Sequence, residues 1–222
     1  MDITVFLYTL SVWAVPVLFA VTFHEVAHGW MANRHGDDTA AKLGRLSWNP
    51  LRHIDPVGTI IIPLVLVLVL TSPFVFGWAK PVPVVPSRLN KPRRDMALVA
   101  LAGPMANVLM AIFWLILFRI ASTHSGGELG VENTSSQWLL EVGQAGFIIN
   151  VLLAVFNLLP IPPLDGGRIL MTLLPVNVAR QIAPLENYGM LVLVALMLSG
   201  VLSKILLPLM SAMQTVLLAL VF

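Results

Sequence analysis

Long apolar blocks separated by short polar intervals dominate this chain. The first block covers residues 3–32 and is broken only by the polar residues of His24-Glu25-Val26-Ala27-His28. As a helix those positions span about 45 Å, more than the ~30 Å of a bilayer's hydrocarbon core. Pro16 lies inside it and predicts a kink. Residues 33–56 turn polar, with Arg34, Lys42, Arg45 and Arg52 among Gly, Asn and Asp. Residues 58–78 are apolar and β-branched, with Pro63 and Pro73 inside. Four prolines in 79–95 forbid a helix there and predict an extended strand or loop. Residues 96–118 form the next span, containing Gly103-Pro104 and Asn107, and 119–136 read as a polar loop. A further span over 138–159 is stopped by Pro160, Pro162 and Pro163. The last apolar stretch, 188–222, is interrupted by Gly200, Lys204 and Pro208, and the pattern fits one span or two.

These blocks predict an all-α polytopic membrane protein: a helical core, a short extended or β segment, and a re-entrant hairpin within 58–78. The longest polar interval is shorter than the ~50 residues a separate soluble domain needs. The expectation is therefore one membrane-embedded domain over 1–222, with a catalytic core at about 5–175 and a C-terminal membrane segment at about 188–222. Composition agrees. Hydrophobic residues make up 58% and charged residues 11%, with mean hydropathy +0.88, whereas soluble domains are about 25% charged. The net charge of +2 gives no reason to expect nucleic acid. Cations sit in loops beside apolar runs, where they set orientation in the bilayer. The first apolar run is too long for a signal-peptide core and lacks a basic leader, so it reads as a retained helix. With no cysteine, a metal must be held by nitrogen and oxygen.

The chemistry concentrates in two motifs. On a helix, His24 and His28 share one face, so both imidazoles can ligate one ion while Glu25 points aside toward a water on that ion. Their depth matters, because ionisable side chains in hydrocarbon persist for function or by pairing. The second motif is Asn157-Leu158-Leu159-Pro160-Ile161-Pro162-Pro163-Leu164-Asp165-Gly166-Gly167. Its prolines unwind a helix end, its glycines let backbone pass close by, and unwound chain at a membrane lines protein or a wet cavity. Asp165 is thus a candidate third ligand. A +2 ion would offset the Glu25 and Asp165 carboxylates and leave a neutral site.

An early span with HEVAH and a later one ending in NLLPIPPLDGG together resemble the site-2 protease family of intramembrane zinc metalloproteases, in its compact form without PDZ or CBS domains. The resemblance runs from about residue 19 to 168. It implies one Zn²⁺ per chain on His24, His28 and Asp165, with Glu25 as the general base. It also implies a role for Asn157 in holding substrate or stabilising the oxyanion. Gly103-Pro104 and Asn107 resemble a family feature, while the insert at 58–78 departs from the family pattern. The implied function is hydrolysis of peptide bonds within or beside transmembrane segments, with transmembrane proteins and the lipid bilayer as partners. Residues 78–83 would offer an edge for strand addition or a cover over the site. A metal transporter, or a catalytically silent metal-binding scaffold, is the alternative; Glu25 and the Asp-Gly-Gly loop favour hydrolysis. His35 and His53 read as structural or interfacial, with His35 next in line as a ligand; His124 reads as solvated and Asn150 as interhelical glue. Loops 33–56 and 79–95 carry four and five Lys/Arg against one in 119–136. The positive-inside rule thus places the first two in the cytoplasm of a prokaryotic cell, with no net crossing by 58–78 and the site facing inward.

Overall fold

The structure, a computed structural model, describes residues 2–61, 80–125 and 134–222. Helix α1 (Ile3–Arg34) opens with the Asp2 carboxylate accepting the Thr4 N–H at 2.9 Å and runs through Pro16 as a single helix. A short α2 (Thr39–Lys42) and a turn over Pro50–Arg52 follow. Helix α3 (Pro92–Ser125) begins before the apolar run does. Proline suits a helix's first position because that N–H needs no partner, and Asp95 accepts the Lys91 N–H at 2.6 Å. The same helix carries on past 118, so the start of the expected loop, including His124, is helical. Hydropathy marks where lipid ends, whereas the backbone ladder continues into water.

Helix α4 (Thr134–Asn157) ends before Pro160, and α5 (Asp165–Leu173) starts after the proline turn. Asp165-Gly166-Gly167 therefore form a helix's first turn rather than a loop, a position where a carboxylate suits the dipole. After α6 (Val176–Ile182) and a tight turn over Ala183–Tyr188 come α7 (Gly189–Leu198) and α8 (Val201–Val221). Gly200, at φ +71°, breaks the last apolar stretch in two; glycine takes that left-handed conformation freely. Among the described residues, five stretches are long and apolar enough to cross a membrane: Ile3–Arg34, Pro92–Thr123, Ser136–Asn157, Val176–Leu198 and Val201–Val221. The all-α polytopic expectation holds.

No β-strand occurs among the described residues; 80–85 is irregular chain. Residues 62–79, with Pro63, Pro73 and most of the expected re-entrant hairpin, lie outside the described residues, as do 126–133. The insert's flanks meet, because the Lys80 N–H donates to the His53 carbonyl at 3.0 Å.

Helices α1, α3, α4 and α8 share one cluster that includes Val12, Trp114, Leu115, Phe147, Val151 and Leu217. Lipid is as apolar as these side chains, so close packing rather than water exclusion holds them. A second cluster, Leu159, Leu164, Leu193 and Leu202, seats the turn before Asp165 on α7 and α8.

Candidate metal centre

One turn apart on α1, the rings of His24 and His28 lie with centroids 4.6 Å apart and planes at 85°. Their Nε2 atoms are 3.0 Å apart, and each is 3.2 Å from Asp165 Oδ2. All three residues are buried. The structure thus brings together the three residues expected as ligands, from helices α1 and α5, far apart in the sequence.

The far side of each ring fixes what the near side offers. His28 Nδ1–H donates to the Val99 carbonyl at 2.7 Å, and His24 Nδ1–H donates to Asn107 Oδ1 at 2.6 Å. Both partners are carbonyl oxygens, which only accept, so in the neutral rings the proton sits on Nδ1 and the Nε2 lone pair faces inward. Two lone pairs then meet a carboxylate oxygen, Asp165 Oδ2, that is buried without a hydrogen-bond partner. Converging acceptors with no proton between them repel, and a cation relieves the repulsion. Tetrahedral zinc at ~2.0–2.1 Å holds its donor atoms about 3.3 Å apart, close to these separations. The residues fit a zinc ion.

Gly103 on α3 makes the packing possible. A Cβ there would overlap His28 Nε2 and His24 Cε1, so only bare backbone can lie this close to the rings. The glycines after Asp165 act similarly: added Cβ atoms would strike the Leu158 carbonyl and Pro162.

Glu25 stands outside the ligand cluster. It is half-buried, its Oε2 accepts the Val82 N–H at 2.7 Å, and it lines a cavity of about 180 Å³ shared with the three candidate ligands, Asn157 and Arg168. Asn157 Nδ2 donates to the Leu153 carbonyl at 3.0 Å, which steadies the side chain at the cavity wall.

Pro81, Val82 and Val84 line this cavity, and hydrogen bonds from side chains and backbone hold the chain over 80–90 in place. Arg45 donates to the Lys80 carbonyl at 2.8 Å, Asp37 accepts the Val85 N–H at 2.6 Å, and the Asn90 N–H reaches the His35 carbonyl at 2.8 Å. At Gly29 an added Cβ would come within 2.7 Å of Val82 Cγ1, so glycine lets the segment close on α1. Burial pushes the Asp37 carboxyl up, but hydrogen bonds from Thr39 and Val85 outweigh that and hold it below the usual range.

The other histidines are elsewhere. His35 Nδ1 lies 3.5 Å from Asp95, and His53 Nε2 donates to the Ser47 carbonyl at 2.9 Å. Neither joins the cluster. Sequence reasoning missed the roles of Val99 and Val82 at the site. It noted Asn107 and Asn150 without linking them to the rings, although a buried amide in an apolar span was the available signal.

A family model, peptidase family M50, matches residues 12–138 and 120–200, which contain both motifs. The chain belongs to this family, the site-2 proteases. Membership makes it a protease of the zinc metallopeptidase class with membrane-spanning helices. Among relatives, YwhC of Bacillus subtilis, named as a candidate zinc metalloprotease, is 36% identical over 198 residues, 89% of this chain and 85% of that protein. Rip2 of Mycolicibacterium smegmatis, named likewise, is 28% identical over 200 residues, 90% of this chain and 70% of the relative. MJ0611 of Methanocaldococcus jannaschii is 43% identical over 72 residues, 32% of this chain and 31% of its own length. No solved structure matches the chain.

Proposed function

We propose that this family member cuts peptide bonds within or next to transmembrane segments, using one zinc on His24, His28 and Asp165 and Glu25 as general base. The carrying observation is the buried, inward convergence of three metal-ligand atoms, His24 Nε2, His28 Nε2 and Asp165 Oδ2, beside a carboxylate that takes no part in the cluster. Bound zinc supplies a Lewis acid for the scissile carbonyl and brings a water's pKa to about 7. Glu25 takes the proton from the attacking water and returns it to the leaving amine. Asn157 has an amide to offer the developing oxyanion. The Val82 N–H that steadies Glu25 also turns one edge of the irregular segment to the cavity, where Val82 and Val84 both line the wall. An unwound substrate pairs along that edge, which keeps its carbonyls exposed.

In this reading residues 1–222 act as one membrane-embedded unit, and the cation-rich loops put the site on the cytoplasmic side. Purified wild type is expected to cut a model transmembrane peptide, and Glu25→Gln to lose at least ~100-fold of that rate. Equal rates would remove Glu25 from the mechanism; cleavage of soluble peptides alone would remove the membrane substrate. For orientation, Ser87→Cys is expected to resist an impermeant reagent applied outside intact cells, and Ser125→Cys to react. The reverse pattern would invert the topology.

A further inference from the structure

Asn107 on α3 and Asn150 on α4 are completely buried, and they are joined end to end. Asn150 Nδ2 donates to the Gly146 carbonyl of its own helix at 2.8 Å, which turns its Oδ1 toward Asn107. Asn107 Nδ2 donates to that Oδ1 at 3.0 Å and to the Ala20 carbonyl of α1 at 3.1 Å. Both amide protons of Asn107 are thereby committed to acceptors on two other helices. Only its oxygen is left to face His24 Nδ1. Rotating the Asn107 amide by half a turn would set its oxygen against two acceptor oxygens and its NH₂ against a ring N–H, three repulsive contacts in a buried site.

The two histidines are therefore held in different ways. His28 meets a backbone carbonyl, Val99, which the helix itself orients. His24 meets a side-chain amide, which could rotate and so must be locked by something else. We propose that Asn150, acting through Asn107, is a positioning residue for the metal: it holds the His24 ring with its Nε2 lone pair toward the cluster. This rests on the reading of His24, His28 and Asp165 as zinc ligands. Outer partners of ligating histidines commonly govern metal affinity ten- to hundredfold. Here the influence reaches one residue further, across three helices.

The test is zinc affinity of the full-length, detergent-purified chain, measured by competition with a chromophoric chelator, beside the visible spectrum of the Co²⁺-loaded protein. Thermal melting of the metal-free protein monitors the fold. Asn150→Leu removes the acceptor for Asn107. Zinc affinity is expected to fall about tenfold or more, with a changed Co²⁺ spectrum. Should that variant not fold, Asn150→Ser is too short to reach Asn107 yet can still bond its own helix, and the same loss is expected. Asn150→Asp, kept neutral by burial, can donate its O–H to Gly146 and accept from Asn107, so affinity is expected within about threefold of wild type. If the pair is only glue between helices, Asn150→Leu and Asn150→Ser will lower the melting temperature and leave zinc affinity and the Co²⁺ spectrum at wild-type values. That result overturns the proposal. Asp165→Ala in the same titration separates the two readings. Wild type without zinc, or Asp165→Ala binding as tightly, defeats the metal site itself. Loss in Asp165→Ala with no change at Asn150 defeats only the inference.

Discussion

On one wall of the cavity, His24 and His28 project from a 32-residue helix and are braced from behind by α3. Elsewhere along the same cavity, Pro81, Val82 and Val84 belong to a segment, 80–90, with little regular structure, whose backbone Arg45, Asp37 and Glu25 pin one contact at a time. The first wall is a product of helix geometry, where the side chains follow once the helices pack. The second is held by separate side-chain clamps on backbone groups rather than by a helical ladder. Metal holding and substrate holding place different demands on a site, and in the proposed function the two walls divide them. A ligand set needs fixed distances, whereas an edge that receives an unwound segment has to yield and re-form.

The largest effect is expected on the rigid wall. Gly103→Ala inserts a methyl where the imidazoles lie, and overpacking of this kind costs about 1–3 kcal/mol. Zinc affinity and cleavage are expected to fall together by about tenfold or more; retained affinity in a chelator titration would mean that the rings have room to move. A smaller effect is expected on the clamped wall. Asp37→Asn weakens the hold on Val85, a contact of the charge-assisted kind worth about 1.5–3 kcal/mol. Amide exchange at Val82, Val84 and Val85 is expected to speed up and cleavage to drop a fewfold, with zinc affinity unchanged. A parallel loss of zinc would show that the walls are not separable.

The smallest effect is with pH. The Asp37 carboxyl titrates lower in the folded chain than in the unfolded one. Its contribution is therefore complete above the ordinary aspartate pKa of about 3.9 and is lost as pH falls through the folded value. Exchange at Val85 in wild type is expected to stay slow down to about pH 4 and to quicken only below it. An onset near neutrality would assign the clamp to another group.

The rigid wall was largely legible in the sequence. Imidazoles four apart in an apolar run, and an aspartate after a proline-broken span, are residue types that hydrocarbon penalises unless they act together. The clamped wall was legible only as a proline-rich stretch that could not be helical. Its key groups are backbone ones, the Val82 and Val85 N–H, and a backbone amide carries no mark in the sequence of what it will meet. The Val99 carbonyl behind His28 was hidden for the same reason. Asn150 could be recognised as buried, but its route to His24 depends on how three helices are rotated against one another. Helix ends were misjudged at Pro92 and Ser125 because hydropathy follows the lipid boundary.

X-ray absorption at the zinc edge, recorded on wild type, Glu25→Gln and Asp165→Ala, tests the assignment of zinc to His24, His28 and Asp165 with Glu25 outside its shell. Wild type and Glu25→Gln are expected to give one zinc per chain and the same spectrum, with two imidazoles and oxygen donors at about 2.0–2.1 Å. Asp165→Ala is expected to lose most of its metal. A third imidazole, a spectrum altered by Glu25→Gln, or full occupancy without Asp165 would contradict it.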